Sequence, residues 1–396
     1  MSRSPADLPT GDDFLKFNRS FVIIAIAFFV FYFNSGVNGS ISINFFKEQL
    51  NMAGIQMGYY TASRELAGFL LVIFAAATAR FPATRMAAFA LFVAAMGYGA
   101  YAITDSFEQL IPVAIIGSVG FHSFTQLYYL LALGLAEPGY EGRVLGRLQT
   151  AGAAGQFVAM GLALAFVLVI GYRNMFLLSG ALLLVGAVAL LFVPANPRMV
   201  RQQGFVFKRQ YWLFYVLNFL DGCRFEIFAT FGVFALVDVY GVDVRMVAVL
   251  MLVNSVLTWG VGPLIGHWID HLGERKVLTW TYAGHVLVFS GFALVPNVYF
   301  LFAMYLGYRL LDVARMGLNT YAKKISEPRD LSPNLAMGVT MSHAAAIVVP
   351  ITGGILWQTL GYQASFLFGA FFVVLSVVFT QLIRERGLAP ATEPAT

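Results

Sequence analysis

The sequence contains a succession of apolar stretches, each long enough to cross a lipid bilayer. A membrane helix needs about 20 mostly apolar residues, and twelve such segments can be drawn along the 396 residues. They cover residues 18–46, 56–78, 86–104, 109–135, 144–170, 174–194, 209–238, 245–268, 277–295, 298–322, 334–358 and 362–383. Strands of a membrane barrel would be about ten residues long and would alternate in polarity. The segment lengths therefore predict an all-α membrane protein with twelve transmembrane helices.

The composition excludes several classes of protein. Hydrophobic residues make up 59% of the chain and charged residues only 11%, whereas a soluble domain is about 25% charged. A soluble enzyme, a nucleic-acid-binding module and a disordered scaffold are therefore excluded. The net charge of +5 does not indicate a nucleic-acid partner, because the basic residues lie in short clusters between apolar segments, where such residues orient membrane helices.

The distribution of lysine and arginine predicts the orientation in the membrane. With the N-terminus inside, only Lys47, Arg173 and Arg245 fall on the outer side. The cytoplasmic side then carries Arg3, Lys16, Arg19, Arg80, Arg85, Arg143, Arg147, Arg198, Arg201, Lys208, Arg209, Arg275, Lys276, Lys323, Lys324, Arg329, Arg384 and Arg386. Cytoplasmic loops of membrane proteins are enriched in these residues. We therefore expect a multi-pass protein of the plasma (inner) membrane with both termini in the cytoplasm.

The longest polar connector divides the chain into two related halves. It predicts a cytoplasmic N-terminal tail at 1–17, a six-helix bundle at 18–194, a linker at 195–208, a second six-helix bundle at 209–384 and a C-terminal tail at 385–396. The dipeptide Glu137-Pro138 of the first half recurs in the second half as Glu327-Pro328, and residues 36–40 can be aligned with residues 222–226. These landmarks predict two pseudo-symmetric bundles.

A loop motif between the eighth and ninth segments carries a family resemblance. Gly266, Asp270, Gly273, Arg275 and Lys276 match the pattern G-x-x-x-D-x-x-G-x-R-K at every defined position. In this motif the chain resembles the major facilitator superfamily of transporters. The resemblance implies that this loop is a gating element, which latches the cytoplasmic side in the outward-open state. It also implies that helices one, four, seven and ten line a central cavity.

Two departures from the family pattern bear on function. The corresponding loop of the first half has Arg80 where the family usually has aspartate. The fifth segment lacks the Gly-Pro pair of the drug-antiporter signature. The second departure weakens an assignment as a drug exporter.

Eight charged residues lie inside the predicted membrane segments. Each costs about 2.5–3.5 kcal/mol on insertion scales, so they must face a protein interior or a wet cavity. They are Arg64, Glu65, Asp221, Arg224, Glu226, Arg309, Asp312 and Arg315.

Spacing assigns roles to these charges. Asp221 with Arg224, and Asp312 with its neighbouring arginines, are three residues apart and share a helical face, which predicts structural ion pairs for Asp221, Asp312 and Arg315. We predict that Arg224 and Arg309 bind substrate. Glu65 and Glu226 have less obvious local partners and are candidates for proton coupling. For Arg224, Glu226 and Arg309 a purely structural, helix-locking role is an equally good interpretation.

Neutral polar residues extend the candidate site. We expect Asn34 and Asn38 in the first segment and His122 and Gln126 in the fourth to bind substrate. His343 in the eleventh segment is a candidate proton relay. A lone histidine is more often a hydrogen-bonded packing residue, and this alternative applies to both histidines.

The chain is predicted to be a secondary active transporter and not an enzyme. No G-x-x-x-x-G-K-[ST] motif for ATP and no paired catalytic residues at a recognisable spacing occur, and no metal or cofactor is expected. Cationic side chains at cavity positions favour a small anionic or zwitterionic organic solute, moved by alternating access and coupled to protons. The alternative is a proton-driven multidrug exporter of lipophilic compounds. The expected partners are this solute, protons and membrane lipids, with the protein as a monomer.

Overall fold

The structure, a computed structural model, describes residues 19–69, 81–136, 140–194 and 207–384. These residues form α-helices joined by short turns, with no strand among them, which confirms the predicted all-α fold. The helices are α1 (Arg19–Glu48), α2 (Gly54–Phe69), α3 (Ala83–Gly99), α4 (Phe107–Leu135), α5 (Glu141–Ile170), α6 (Tyr172–Leu190), α7 (Trp212–Asp238), α8 (Val244–Leu272), α9 (Glu274–Leu294), α10 (Val298–Asp312), α11 (Met316–Ile325), α12 (Leu331–Leu360) and α13 (Tyr362–Thr380).

Nine of the helices described are long and apolar enough to cross a membrane. The other three predicted spans have identifiable differences. The described part of α2 ends at Phe69, the middle of α7 carries several charged residues, and the tenth span is split into α10 and α11 by a 3₁₀ turn at Val313–Arg315. The twelve predicted spans therefore correspond to this helical arrangement. The predicted residues 70–78 of span two, the tails, and 195–206 of the linker lie outside the described residues.

The helix boundaries of the two halves repeat at a constant offset, the one that separates Glu137 from Glu327 in the sequence. Helix α12 begins and ends at this offset from α5, and α13 does the same relative to α6. The ends of the α10–α11 pair and of α7 show the same offset from the ends of α4 and α1. The repeat marked by the two Glu-Pro dipeptides is thus confirmed.

The repeat corrects one detail of the predicted alignment. Matching residues 36–40 with 222–226 is wrong by a helical turn, because the offset of the helix boundaries pairs residue 36 with residue 226. With this offset, Asn34 of the first half is equivalent to Arg224 of the second, and His122 is equivalent to Asp312.

Contacts divide the described chain into two compact units. Unit 1 comprises residues 19–39, 81–104 and 108–194, and unit 2 comprises residues 40–69, 105–107 and 207–384. The end of α1 and all described residues of α2 thus belong to unit 2. The predicted bundle boundary at 195–208 stays a prediction.

Three sharp helix–helix turns are built on glycine. Gly171, Gly273 and Gly361 have φ values of +81°, +83° and +89°, a conformation that residues with a Cβ rarely adopt. Gly171 and Gly361 occupy equivalent turns of the internal repeat. Gly273 is the glycine of the loop motif, and its positive φ supplies the tight turn for which the motif uses this residue.

Within unit 2, glycines let α2 pack closely against α12. A Cβ on Gly54 would lie 2.3 Å from the indole of Trp357, and one on Gly58 would lie 2.3 Å from the carbonyl oxygen of Pro350. On the facing helix, a Cβ on Gly354 would lie 2.9 Å from Cα of Ile55. Small residues at such contacts let two backbones approach in a membrane, where apolar lipid gives helices little hydrophobic reason to associate.

An ion pair joins the start of the second half to the loop before α12. Lys208 Nζ lies 2.5 Å from Oδ2 of Asp330, and the Tyr211 hydroxyl donates to the same oxygen at 2.9 Å. The Tyr211 oxygen also accepts from the backbone N–H of Glu327 at 3.2 Å. The hydrogen bond from Lys208 holds the pKa of the Asp330 carboxyl below its usual value, and Tyr211 adds to this effect.

Replacing Asp330 by asparagine is expected to lower the thermal stability at neutral pH. A carboxyl with a lowered pKa stabilises the folded state above its unfolded pKa, and this stabilisation disappears as the pH falls through the folded pKa. The difference in Tm between wild type and Asp330→Asn should therefore be largest near pH 7 and vanish in strong acid. Thermal unfolding in detergent across this range measures it. Glu327→Gln, at a half-exposed carboxylate, is the control, and a Tm difference independent of pH would contradict the prediction.

Candidate functional site

A cluster of four charges, two of them buried and two partly exposed, lies in unit 2 between α7 and the break in the tenth span. Arg224 is only 1% exposed, and its Nη2 lies 2.5 Å from Oδ1 of Asp221 and 2.8 Å from Oδ1 of Asp312. Nε of Arg315 lies 2.6 Å from Oδ2 of Asp221. Two cations and two anions thus alternate, and the cluster is neutral overall. The structure places the three residues predicted as structural ion pairs in one network with Arg224.

His285 on α9 completes the shell around Arg224. Its Nε2 lies 2.9 Å from Nη1 of Arg224, and its Nδ1 lies 2.8 Å from the carbonyl oxygen of Thr281. The carbonyl can only accept, so we assign the proton to Nδ1, which leaves the Nε2 lone pair to accept from the guanidinium. The sequence analysis did not assign His285 to this site, because its partner lies 61 residues away in the chain.

Aromatic rings cover the same guanidinium. Cζ of Arg224 lies 5.3 Å from the ring centroid of Tyr308 and 5.9 Å from that of Tyr282. Phe228 stacks on Tyr308 with centroids 3.5 Å apart. Cation–π attraction is strongest where water is excluded. These contacts favour the interpretation that Arg224 has a structural role and locks helices together. Its predicted contact with substrate stays untested.

The cluster also holds the break in the tenth span. Asp312 ends α10 and Arg315 ends the 3₁₀ turn, and both side chains bind partners on α7. A short 3₁₀ stretch within a helix often marks a hinge or a strained sequence. Here the ion pairs fix the orientation of the last turn of α10, which carries Arg309.

A second group of titratable residues lies where α2, α7 and α12 meet in unit 2. Nδ1 of His343 lies 3.1 Å from Oε2 of Glu65, and both side chains are partly exposed. Glu226 on α7 is 7% exposed and interacts electrostatically with Glu65, and also with Arg315 and Arg64. Nearby, the hydroxyl of Thr230 on α7 donates to that of Thr61 on α2 at 3.1 Å. The structure thus brings together the three residues that the sequence analysis predicted for proton coupling.

Arg309 differs from the other intramembrane arginines. It is half-buried on α10, and the described part of the chain gives it no hydrogen bond or ion pair. Its charge acts on the nearby hydroxyls of Tyr305 and Tyr308. The predicted contact of Arg309 with substrate stays a prediction.

The predicted substrate-binding residues of unit 1 form two groups. Asn34 is buried on α1, and its Oδ1 accepts from Ser179 of α6 at 2.7 Å and from Nδ2 of Asn38 at 3.0 Å. These bonds give the Asn34 oxygen a packing role. On α4, His122 and Gln126 lie one turn apart, and Gln126 is exposed. Their predicted substrate contacts stay predictions.

The residues of the loop motif lie at the junction of α8 and α9. Asp270 is exposed, and no hydrogen bond or ion pair joins its side chain to the rest of the described chain. Arg275 Nη2 donates to Oε1 of Gln381 at 3.3 Å. Gly266, Gly273 and Lys276 complete the set, and a Cβ on Gly266 would meet no atom within 4 Å. The predicted latching role of this loop stays a prediction.

Glu274, which follows Gly273 in the loop motif, makes a contact that the sequence analysis did not identify. Nζ of Lys324, near the end of α11, lies 2.8 Å from Oε2 of the buried Glu274 at the start of α9. Like the His285 contact, it joins residues far apart in the chain, which local spacing does not reveal.

Replacing Arg224 by methionine is expected to destabilise the protein by about 3–5 kcal/mol, because it leaves the Asp312 carboxylate in the membrane interior without its cation. Adding Asp312→Asn should recover part of this loss, since the unpaired charge is removed. Unfolding of both variants in detergent measures the effect. Arg329→Gln, which breaks an exposed pair with Glu327, should cost at most about 1 kcal/mol. An equally small effect of Arg224→Met would contradict the prediction.

Several solved transporters share this fold. The nucleoside transporter NupG superposes with a TM-score of 0.77 at 16% identity, covering 92% of this chain and 98% of the other. A bacterial homologue of the human lysosomal transporter Spinster, inward-facing and occupied, gives 0.71 at 14%, covering 92% and 96%. The xylose transporter XylE from E. coli, in an inward-open conformation, gives 0.68 at 14%, covering 92% and 95%.

The sequence itself places the chain in a family. No curated protein matches it significantly. The family model described as Major Facilitator Superfamily matches residues 23–317 and 214–395, which together span nearly the whole chain. This match agrees with the loop motif, the internal repeat and the fold of the solved transporters. The chain is a multi-pass membrane transporter that belongs to the major facilitator superfamily.

Proposed function

We propose that this secondary transporter moves a small anionic or zwitterionic organic solute across the plasma (inner) membrane by alternating access, driven by protons. The distribution of lysine and arginine supports a cytoplasmic location for both termini. The observation that carries the proposal is the meeting of Glu65, His343 and Glu226 at membrane depth on three different helices.

The chemistry of these three groups suits reversible proton binding. Glu65 and Glu226 repel each other when both are ionised, and a proton taken up by either one relieves this repulsion. His343 lies within hydrogen-bond distance of Glu65, so a proton can pass between the carboxylate and the imidazole. The side chains of Glu65 and His343 are 17% and 29% exposed, which gives the proton a route to the group.

The position of the Glu65–His343 pair connects proton binding to helix packing. On α2, Glu65 follows Gly58 by two helical turns, and on α12, His343 precedes Pro350 by two turns. Residues seven apart share one helical face. The Glu65–His343 pair and the close glycine contact therefore lie along the same α2–α12 interface. A change of charge at the pair acts directly on the packing that holds these helices together.

Two further contacts of unit 2 join the end of α1 to α7 and to the loop that follows α7. Nζ of Lys47 lies 2.5 Å from Oδ1 of Asp238, and Nδ2 of Asn44 donates to the carbonyl oxygen of Val242 at 3.0 Å. These residues belong to the predicted outer side, whereas Asp270 of the predicted cytoplasmic side is exposed.

Replacing Glu226 by glutamine is expected to abolish accumulation of the solute driven by a pH gradient and to leave solute exchange intact, because exchange needs no net proton movement. Both activities can be measured in reconstituted vesicles. Accumulation of the solute is followed with an alkaline interior, which provides the pH gradient, and exchange is followed as counterflow with no pH gradient. Glu65→Gln should behave in the same way.

The exposed Glu327→Gln is the matched control and should retain both activities. Unchanged proton-driven accumulation in Glu226→Gln and Glu65→Gln would exclude this site from coupling.

Arg309 supports the anionic or zwitterionic class of substrate. It offers a guanidinium that no carboxylate within the described chain neutralises, and the charge-assisted hydrogen bond of such a group is worth about 1.5–3 kcal/mol. The nucleoside and xylose transporters with the same fold are named for small polar organic solutes, which agrees with this size class.

Replacing Arg309 by alanine is expected to weaken substrate binding at least about tenfold, and Arg309→Lys should retain part of it, since the charge remains. A thermal-shift screen of charged metabolites and lipophilic cations at two pH values identifies the ligand, and titration of the variants gives the change in Kd. Arg245→Ala at the outer end of α8 is the control. Stabilisation by lipophilic cations alone, unaffected by Arg309→Ala, would instead favour the multidrug exporter.

A further inference from the structure

A groove on the membrane-facing surface of unit 1 lies between the start of α1 and the end of α6. Its volume is about 740 Å³. Seven of its eight lining residues are apolar, and the eighth is Arg19. The apolar ones are Val22, Ile23, Leu184, Val185, Val188, Ala189 and Phe192.

The groove has the shape of a wedge, because the two helices are in contact at the Asn34–Ser179 hydrogen bond and at Gly186 and separate beyond Gly186. At Gly186 the helices are in contact, since a Cβ there would lie 2.5 Å from Cγ2 of Val30. From this point towards Arg19 the apolar walls open. Val185, Val188 and Phe192 are 57%, 54% and 63% exposed, so the described chain leaves the groove unfilled.

Positive charge lies at the open end of the wedge. Arg19 begins α1, and the guanidinium of Arg85 donates to the carbonyl oxygen of Leu191, the neighbour of the lining residue Phe192. Arginine matches phosphate geometrically and binds it through two parallel hydrogen bonds. A ligand with apolar chains and an anionic head therefore complements the groove along its whole length.

We propose that this groove binds one anionic phospholipid, with its acyl chains in the wedge and its phosphodiester at Arg19. A phospholipid with a neutral, zwitterionic headgroup fills the apolar wedge equally well but brings its own cation to the arginines. The site is therefore selective for phosphatidylglycerol over phosphatidylcholine.

Native mass spectrometry of the full-length protein with added phosphatidylglycerol or phosphatidylcholine tests the site. One arginine at the membrane surface contributes about fivefold to the binding of an anionic lipid, so Arg19→Gln should reduce the preference for phosphatidylglycerol by about that factor. Ala189→Trp, which fills the wedge, should weaken the binding of both lipids. Arg147→Gln, at an exposed arginine of α5 outside the groove, is the matched control and should behave as wild type.

Three outcomes would overturn the proposal. The first is equal binding of the two lipids by the wild-type protein. The second is a preference for phosphatidylglycerol that is the same in Arg19→Gln as in Arg147→Gln. Phosphatidylglycerol binding that arises only after residues 1–17 are removed would identify that segment as the occupant. None of these outcomes depends on whether proton coupling at Glu226 holds.

Discussion

The interaction on which the rest of the structure depends is the neutralisation of charge inside the membrane. Arg224 is 1% exposed and lies between Asp221 and Asp312, with Arg315 on the far side of Asp221. No lipid can replace the water that these ions have lost, so each must find its counter-ion within the protein. The arrangement joins α7 to the break between α10 and α11, and His285 adds α9. The contacts that offset the cost of burying these charges therefore also join four helical segments: α7, α9, α10 and the 3₁₀ turn that follows α10.

The two charged groups of unit 2 differ in a way that suits different tasks. Around Arg224 the opposite charges balance, each carboxylate has a cation within hydrogen-bond distance, and aromatic rings cover the guanidinium. Around Glu65, which lies beside the imidazole of His343, a second carboxylate, Glu226, interacts electrostatically, and Arg64 and Arg315 also act on Glu226. Balanced charges resist titration and give rigidity, whereas like charges in proximity favour the uptake of a proton. One helix, α7, carries residues of both groups, so a change at the second group lies two residues from the rigid first one.

The internal repeat explains why the halves need not share chemistry. Its constant offset fixes helix length and turn position, as the equivalent glycines Gly171 and Gly361 show. The side chains at equivalent positions have nonetheless diverged: Asn34 is equivalent to Arg224 in the repeat, and His122 is equivalent to Asp312. In unit 1, Asn34 makes neutral hydrogen bonds with Ser179 and Asn38, where unit 2 makes ion pairs. The frame is symmetric, and at these two equivalent positions only the second half carries a charged network.

Much of this protein follows from the sequence alone. The length and polarity of its segments determine a twelve-helix membrane fold, because lipid allows few alternatives, and the loop motif identifies the family. The i, i+3 spacing of Asp221 and Arg224 places them together, since neighbours on one helix are fixed by helical geometry. The contacts of Arg224 with His285, of Glu65 with His343, and of Lys324 with Glu274 join residues 61, 278 and 50 positions apart. Only tertiary packing decided these contacts. The rotation and depth of each helix against its neighbours depend on close contacts such as that of Gly58 with Pro350. No local sequence pattern encodes such contacts.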